Sequence, residues 1–96
     1  MKIVYGNIDK NGNIVSGSGD FTVENVGAGH YKVGFKQAFY LAPSVVGSQT
    51  DYDSSNQSPL DNIVFPFVET TGFSANVGGA NGSFQNRSFS FIAIGE

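Results

Sequence analysis

The side chains that could do chemistry are concentrated in two polar loops. The first loop, residues 51–59, offers the polar groups of Asp51, Tyr52, Asp53, Asn56 and Gln57. The second loop, residues 78–83, is rich in glycine and contains Asn81. Carboxylates and amides can hydrogen-bond hydroxyl groups in fixed directions, and an aromatic ring can pack on an apolar face. These residue types therefore indicate binding of a polyhydroxylated ligand such as a sugar.

The first loop also resembles the opening of a calcium-binding loop, because oxygen ligands alternate from Asp51 onward. The pattern departs from such a loop at its sixth position, Asn56, where glycine is required, and at its twelfth, Asn62, where glutamate is required. A different calcium site built by Asp51, Asp53 and Asp61 stays open. The alternative is a solvated acidic loop in which Asp and Ser side chains hold turns. No other cofactor is indicated.

No catalytic constellation can be assembled from the remaining reactive residues. The single histidine, His30, lies in an expected strand, and the sequence places no nucleophile or carboxylate with it. Gly17-Ser18-Gly19 matches the centre of an esterase nucleophile elbow, but no helix follows it as that motif requires. Cysteine is absent, which excludes thiolate chemistry and disulfides. We therefore expect a protein that is not an enzyme.

Composition excludes several other classes of protein. The 96 residues are 40% hydrophobic and only 14% charged, which argues against a disordered chain. Five basic residues against eight acidic ones, with no basic cluster, exclude a binder of nucleic-acid phosphates. No apolar run is long enough to cross a membrane, and the first residues lack the apolar stretch of a secretory signal. We expect an extracellular location, or the surface of a virion or cell, without a classical signal peptide.

Alternation of apolar and polar residues predicts antiparallel strands with one buried face. The expected inward residues are Phe21, Val23, Tyr31, Val33, Phe35, Phe73, Ala75 and Val77. Turn residues fall between these segments, and Asn11-Gly12 is a strong hairpin signal. Six or seven short strands at this spacing predict an all-β antiparallel sandwich. Residues 1–18 would form an N-terminal hairpin or lead-in arm, and residues 19–96 the sandwich domain.

Two expected strands are apolar on both faces. In the first strand, Ile63, Phe65 and Phe67 lie on the expected core face, and Val64, Pro66 and Val68 lie on the second face. In the last strand, Phe89, Phe91 and Ala93 lie on the core face, and Ser90, Ile92 and Ile94 lie on the second face. Soluble monomers rarely expose a contiguous apolar patch beyond a few hundred Å², so these faces need cover. Further copies of the chain would supply it by closed symmetry. The alternatives are that residues 1–18 cover the face, or that Pro66 marks an edge strand with a bulge.

Arg87, the only arginine, has two interpretations. It could contact a sugar or an anion, or it could form an ion pair between protomers with Asp61 or Glu69. We favour the second, because rigid bidentate pairing is where arginine differs most from lysine. The predicted oligomer interface consists of Val64, Val68, Arg87, Ile92 and Ile94.

From Val33 onward, the order of these features resembles the H-type lectin domain. The segments that carry the resemblance are Val33-Gly34-Phe35, Phe39-Tyr40-Leu41-Ala42-Pro43-Ser44-Val45-Val46, Ile63-Val64-Phe65, Thr71-Gly72-Phe73-Ser74-Ala75 and Ser88-Phe89-Ser90-Phe91-Ile92-Ala93-Ile94. The region of resemblance, from Val33 to Ile94, covers about two-thirds of the chain. The whole chain is also similar to modules of phage tail fibres and bacterial surface proteins. The resemblance implies a six-stranded sandwich packed as a parallel trimer, which binds galactose or N-acetylgalactosamine near the protomer boundary.

The chain departs from animal H-type lectins at the sugar-contacting positions. Their Trp-His pair falls at Gly79-Ala80, which Asn81 follows, and their sugar-contacting arginine falls at about Asn62. An acidic contact from their N-terminal part has no counterpart that can be aligned. New contacts would then come from these positions and from the first polar loop. The predicted carbohydrate-binding residues are Asp51, Tyr52, Asp53, Asn56, Asn62, Gly79, Ala80 and Asn81.

The expected function is non-catalytic recognition of galactose-type or other surface glycans by a homotrimer, without nucleic-acid partners and without membrane insertion. The alternative is a structural module, such as the trimerising or receptor-binding tip of a tail fibre or surface appendage, that does not bind sugar at the family cleft. Both fit the same fold, because a fold does not determine a function.

Overall fold

The computed structural model describes all residues 1–96 and consists of nine strands joined by turns and loops. The strands are β1 (Lys2–Ile8), β2 (Ile14–Gly17), β3 (Phe21–Gly27), β4 (His30–Phe35), β5 (Ser44–Gln49), β6 (Asn62–Val64), β7 (Val68–Glu69), β8 (Gly72–Gly78) and β9 (Phe89–Gly95). No helical segment has the length and apolar character needed to cross a lipid bilayer.

The strands form two antiparallel sheets packed face to face, which confirms the predicted all-β sandwich. Sheet A has the order β2-β1-β9-β5, and sheet B has the order β3-β4-β8-β6, with β7 also paired to β8. The strand count exceeds the expected six or seven, because residues 1–18 contribute two strands and Val68–Glu69 forms a short separate strand.

The core lies between the sheets and is built from the predicted inward residues. Its buried members from β4, β8 and β9 are Tyr31, Val33, Phe35, Phe73, Ala75, Val77, Phe89, Phe91 and Ala93. Phe73 of sheet B meets Phe91 of sheet A edge to face, with ring centroids 4.9 Å apart. This is the geometry that aromatic rings prefer, so the alternation seen in the sequence translates directly into packing between the layers.

Residues 1–18 form the β1–β2 hairpin, with its turn at Gly12, where φ is 87°. β1 lies inside sheet A and pairs with β9 along its whole length. Its Val4 and Ile8 are fully buried in the core. The hairpin is therefore part of the sandwich, and residue 18 does not separate two structural units.

The segment 63–68 does not keep one alternation along its length. β6 ends at Val64, a bend follows at Pro66, and β7 begins at Val68. Because proline has no N–H to donate to a ladder, it interrupts strand pairing at this point. Phe67 consequently turns outward and is 65% exposed, whereas Val68 packs partly against the core. The prediction of Phe67 on the inner face and Val68 on the outer face is therefore wrong.

Candidate functional site

One end of the sandwich is organised around Arg87, which directly precedes β9. Its Nη1 donates to Asp61 Oδ2 at 3.0 Å, and its Nη2 donates to Gln85 Oε1 at 2.9 Å. The side chains of Arg87 and Asp61 are only 12% and 7% exposed. The ion pair predicted between protomers, with Asp61 or Glu69, is thus an ion pair within one chain. It arises because the loop after β5 brings Asp61 back to the start of β9.

Gln49, the last residue of β5, connects the two sheets beside this ion pair. Its Nε2 donates to the carbonyl oxygens of Asn62 (2.7 Å) and Gly78 (2.6 Å), which belong to β6 and β8. Its Oε1 accepts a hydrogen bond from Gln57 Nε2 at 3.1 Å. The first polar loop is therefore attached to the sandwich through a half-buried side chain that the sequence did not single out.

Tyr52 is held against the guanidinium group of Arg87, with the Arg87 Cζ 4.6 Å from the ring centroid. The residues on either side, Asp51 and Asp53, have left-handed backbone conformations with φ of 51° and 60°. Aspartate tolerates this region better than most residues, and such strain concentrates at functional sites. The Tyr52 ring remains 44% exposed. One part of the ring is thus stabilised by a cation–π contact, and the rest is open to a ligand.

A cavity of about 550 Å³, here called the end pocket, opens beside Tyr52. Its lining residues are Asp9, Lys10, Asn11, Asp51, Tyr52, Asp53, Asn86, Arg87 and Ser88. The β1–β2 turn forms one wall because β1 pairs with β9, so the turn after β1 lies next to the residues that precede β9. The sequence predicted this turn but gave no indication that it would meet the first polar loop.

Asp9 shapes the wall formed by the β1–β2 turn. Its Oδ1 accepts hydrogen bonds from the backbone N–H groups of Asn11 and Asn13, both at 2.9 Å. The bond from the Asn13 amide is the main cause that lowers the pKa of Asp9, against a smaller opposing effect of burial. Hydrogen bonds to the charged form of a carboxyl group favour that form, so the pKa of Asp9 lies below its ordinary value.

Asn86 forms the opposite wall and is fixed through its oxygen. Its Oδ1 accepts hydrogen bonds from the Gly29 backbone N–H at 2.8 Å and from Asn25 Nδ2 at 3.3 Å. Its amide nitrogen makes no hydrogen bond within the chain. The end pocket therefore has a hydrogen-bond donor whose side chain is held in position through its oxygen.

A second depression of about 330 Å³, here called the edge pocket, lies at the β6 edge of sheet B. It is lined by Asn62, Val64, Asn76, Val77, Gly78, Gly79, Gly82, Ser83 and Phe84. Asn62 Oδ1 accepts a hydrogen bond from the Ile63 amide at 2.8 Å, and Asn81 Oδ1 accepts from the Ser83 amide at 3.0 Å. The oxygens of these two side chains are therefore engaged by backbone amides one and two residues further along the chain.

The predicted carbohydrate-binding residues fall into separate groups. The end pocket contains Asp51, Tyr52 and Asp53, and the edge pocket contains Asn62 and Gly79. Ala80, Asn81 and Asn56 are exposed and line neither pocket. The two polar loops are thus neighbours across Gln49 and Gln85, but they do not form one cleft.

The three acids considered for calcium do not converge. Asp61 is engaged by Arg87, whereas Asp51 and Asp53 line the end pocket. No three His, Cys, Asp or Glu side chains lie close enough together to hold a metal ion. The polar groups that the end pocket offers to a ligand are hydrogen-bond donors and acceptors.

His30 lies on the outer face of sheet B, and its surroundings are not those of a general base. Its Nδ1 is 2.9 Å from Asn76 Oδ1, and its ring stacks on Phe84 with centroids 4.5 Å apart. Ser18, the serine of the elbow-like motif, donates to Asp20 Oδ1 at 2.5 Å within a turn between two positive-φ glycines. Neither residue has the partners of a catalytic triad.

The predicted interface residues do not share one surface. Arg87 lies in the ion pair at the end of the sandwich, Val68 packs partly against the core, and Val64 is on the outer face of sheet B. Ile92 and Ile94 are on the outer face of sheet A. There the register places Ile92 between Tyr5 of β1 and Val46 of β5, and Ile94 beside Ile3. The side chains of Ile3, Tyr5, Val46 and Ile92 are 46–61% exposed, so this face is an uncovered apolar surface.

No protein-family model, no curated protein and no solved structure matches this chain. The resemblance to H-type lectins therefore stays a prediction. The features that bear on function are the sandwich fold and the residues that line its pockets.

Proposed function

We propose that the protein is a non-catalytic carbohydrate-binding module whose ligand occupies the end pocket. One observation carries the proposal: the Tyr52 ring is fixed against Arg87 between two left-handed aspartates, and its open part borders a polar cavity of about 550 Å³. Sugars present hydroxyl groups at the rim of the ring and C–H groups on its faces. A positioned aromatic ring surrounded by fixed donors and acceptors complements both features.

Each wall of the end pocket has a distinct role in this proposal. Tyr52 packs against the apolar face of the sugar. The carboxylates of Asp51 and Asp53 make no hydrogen bond within the chain and accept hydrogen bonds from hydroxyl groups. The amide nitrogen of Asn86, which is free and held in position through its oxygen, donates to a sugar oxygen.

The charges of the end pocket favour neutral glycans over acidic ones. Asp9, Asp51 and Asp53 carry three negative charges, and Lys10 carries one positive charge. Arg87 contributes little to the balance because it is paired with Asp61. Unit charges 4 Å apart interact by about 1 kcal/mol even in water, so a sialylated or sulfated sugar would be repelled. The resemblance to H-type lectins favours galactose or N-acetylgalactosamine among the neutral sugars.

The uncovered apolar face of sheet A supports homotrimerisation as a second part of the proposal. A row of exposed apolar side chains crosses three strands at Tyr5, Ile92 and Val46. Burying such a row against further copies of the chain would remove it from water. Three shallow sites on one assembly would then bind a multivalent surface more tightly by avidity. The same face also favours the alternative function, a trimerising module of a fibre or surface appendage.

The proposal is tested on an array of neutral and acidic glycans with the wild-type protein and two tyrosine variants. Tyr52→Ala should weaken binding of neutral glycans about tenfold, which corresponds to the loss of one aromatic stacking contact. Tyr40→Ala is the matched control. Tyr40 is 85% exposed and lies at the other end of β9, where its amide bonds to the Glu96 carbonyl.

Equal weakening by the two tyrosine variants would overturn the assignment to the end pocket. Absence of binding to any glycan by a folded, assembled protein would favour the structural alternative instead.

A further inference from the structure

The outer face of sheet B carries a cavity of about 800 Å³, which contains none of the residues discussed for the end pocket. We call it the outer trench. The side chains that line it include those of Thr22, Glu24, Lys32, Phe67, Glu69 and Ser74. These residues come from β3, β4, β7 and β8 and from the chain segments beside β7, so the trench crosses four neighbouring strands.

Two glycines on adjacent strands form the floor of the outer trench. Gly34 of β4 pairs with Gly72 of β8, and the same row continues to Thr22 on one side and Glu69 on the other. Because neither glycine has a side chain, the sheet surface is open to its backbone between the two flanking residues. The missing side chains leave a depression across the middle of the outer face of sheet B.

The polar side chains around this floor have no partners within the chain. Thr22, Glu24, Lys32, Glu69 and Ser74 form none of the side-chain hydrogen bonds, and the two salt bridges of the molecule lie elsewhere. Glu24 and Lys32 stand opposite each other on β3 and β4, yet they are not in salt-bridge contact. The trench therefore offers unengaged donors and acceptors side by side.

An exposed aromatic ring stands at the wall of the outer trench. Phe67 is 65% exposed, and its carbonyl oxygen accepts a hydrogen bond from the Ser74 amide at 2.9 Å, which holds this segment on β8. The bend at Pro66 is what turns Phe67 outward to this position. An aromatic ring beside free hydroxyl, carboxylate and ammonium groups complements a ligand that has both apolar faces and many hydroxyl groups.

The dimensions and charges of the outer trench specify this ligand further. Four strands spaced about 4.8 Å apart span about 14 Å, which exceeds the width of one sugar ring. Glu24 and Glu69 against Lys32 leave the trench without a cluster of positive charge for an anion. We propose that the outer trench binds a neutral oligosaccharide chain, as a second site separate from the end pocket. The class of ligand rests on the proposed function, whereas the location of the site does not.

The floor of the outer trench can be filled without disturbing the fold. A Cβ at Gly34 would meet only Thr22 Oγ1, at 3.0 Å, and that hydroxyl can rotate away. Gly34→Thr therefore blocks the trench, and Phe67→Ala removes its aromatic ring. Gly27→Thr is the matched control, because a Cβ at Gly27 meets only His30 Cδ2, at 3.7 Å, and Gly27 does not line the trench.

The experiment measures binding to an array of neutral oligosaccharides of three or more rings and of the corresponding monosaccharides. We expect Gly34→Thr and Phe67→Ala to weaken oligosaccharide binding at least about tenfold while monosaccharide binding is kept. Gly27→Thr should behave as the wild type. Circular dichroism of each variant verifies that the fold is intact.

The outcomes separate this inference from the proposed function. Oligosaccharide binding unchanged in both trench variants would overturn the outer trench as a site, while monosaccharide binding that depends on Tyr52 would still support the end pocket. Oligosaccharide binding that depends on Phe67 but not on Tyr52 would support the trench and overturn the end pocket. Absence of all glycan binding by the wild-type protein would overturn both.

Discussion

Arg87 is the residue on which the polar end of the sandwich depends. It joins the segment before β9 to Asp61, which directly precedes β6, and it also supports the ring of Tyr52 in the first polar loop. A largely buried ion pair adds little to the free energy of unfolding when it is compared with a well-packed apolar pair of the same size. Removal of one partner is nevertheless destabilising, because the other charge is then buried and unpaired. The same side chain that the sequence suggested for contacts between protomers therefore shapes the candidate binding site.

Asp61→Asn should lower the free energy of unfolding by about 3 kcal/mol, because the buried guanidinium group loses its counter-charge. Urea denaturation followed by fluorescence or circular dichroism measures the change. Asp53→Asn is the control, since Asp53 is exposed, and asparagine also tolerates its left-handed backbone conformation. Its effect should stay within about 0.5 kcal/mol. Equal stability of the Asp61 variant and the wild type would show that the ion pair does not hold this end together.

Tyr31 makes the stability of the protein depend on alkaline pH. It is almost fully buried, its hydroxyl donates to the Lys10 carbonyl at 2.6 Å, and burial raises its pKa. Because the pKa is higher in the folded state, the unfolded state loses this proton first. The stabilisation that the protonated Tyr31 provides is fully present below about pH 10, the pKa of tyrosine in the unfolded chain. It is lost as the pH rises through the higher pKa of Tyr31 in the folded state.

Tyr31→Phe should therefore be less stable than the wild type by about 1 kcal/mol at neutral pH, and the difference should shrink above pH 10. Urea unfolding curves of the two proteins from pH 7 to pH 11 measure it, and the difference between them cancels the titration of other groups. A difference that grows with pH would contradict the stated direction of the pKa shift.

At the scale of strands, the two paired glycines of sheet B have unequal roles. A Cβ at Gly72 would lie 2.2 Å from the Val33 carbonyl oxygen, which belongs to the neighbouring backbone and cannot move aside. A Cβ at Gly34 meets only a rotatable hydroxyl. The close approach of β4 and β8 therefore requires glycine at position 72 but not at position 34.

Gly72→Ala should consequently destabilise the protein by about 1–3 kcal/mol, as forced repacking does. Gly34→Ala should be neutral or slightly stabilising, because glycine in a strand costs more conformational entropy than alanine. The midpoints of thermal unfolding of the two variants test this ranking. The reverse order would mean that the strand pairing between β4 and β8 differs from that described.

The elements differ in how far the sequence could predict them. β3, β4, β8 and β9 follow strict alternation, and their inward residues were predicted because the period of two depends only on local sequence. The segment around Pro66 was predicted as one two-faced strand, with an interruption at Pro66 only as an alternative, because the apolar run continues through the proline and does not show where the alternation changes. The β1–β2 hairpin was predicted as a hairpin, but its position inside sheet A depends on long-range pairing with β9.

The candidate site was predictable only in part for the same reason. Tyr52 and its flanking aspartates were predicted from residue type, and the structure brings them together in the end pocket. Asp9, Asn86 and Gln49 become neighbours of that loop only through the order of strands in sheet A. Residue type therefore indicated the chemistry, whereas topology selected which polar residues take part.

At the scale of the whole molecule, the proposed trimer would form through the uncovered apolar face of sheet A. Ile92→Asp introduces a charge into the apolar row without touching the core, since Ile92 faces away from Phe91 and Ala93. Sedimentation should change from about three times the 10.2 kDa chain to a single chain, with an unchanged circular dichroism spectrum. Leu60→Asp is the control, because Leu60 is exposed in a loop away from this face. A wild-type protein that sediments as a monomer would contradict the assembly.

Nuclear magnetic resonance tests most directly whether a sugar binds in the end pocket. Uniformly ¹⁵N-labelled protein is titrated with the neutral monosaccharide that binds best on the glycan array. We expect the largest shifts at the backbone amides of residues 9–11, 51–53 and 86–88, which line or adjoin the end pocket. Shifts confined to the edge pocket or the outer trench, or no shifts at saturating sugar, would contradict this expectation.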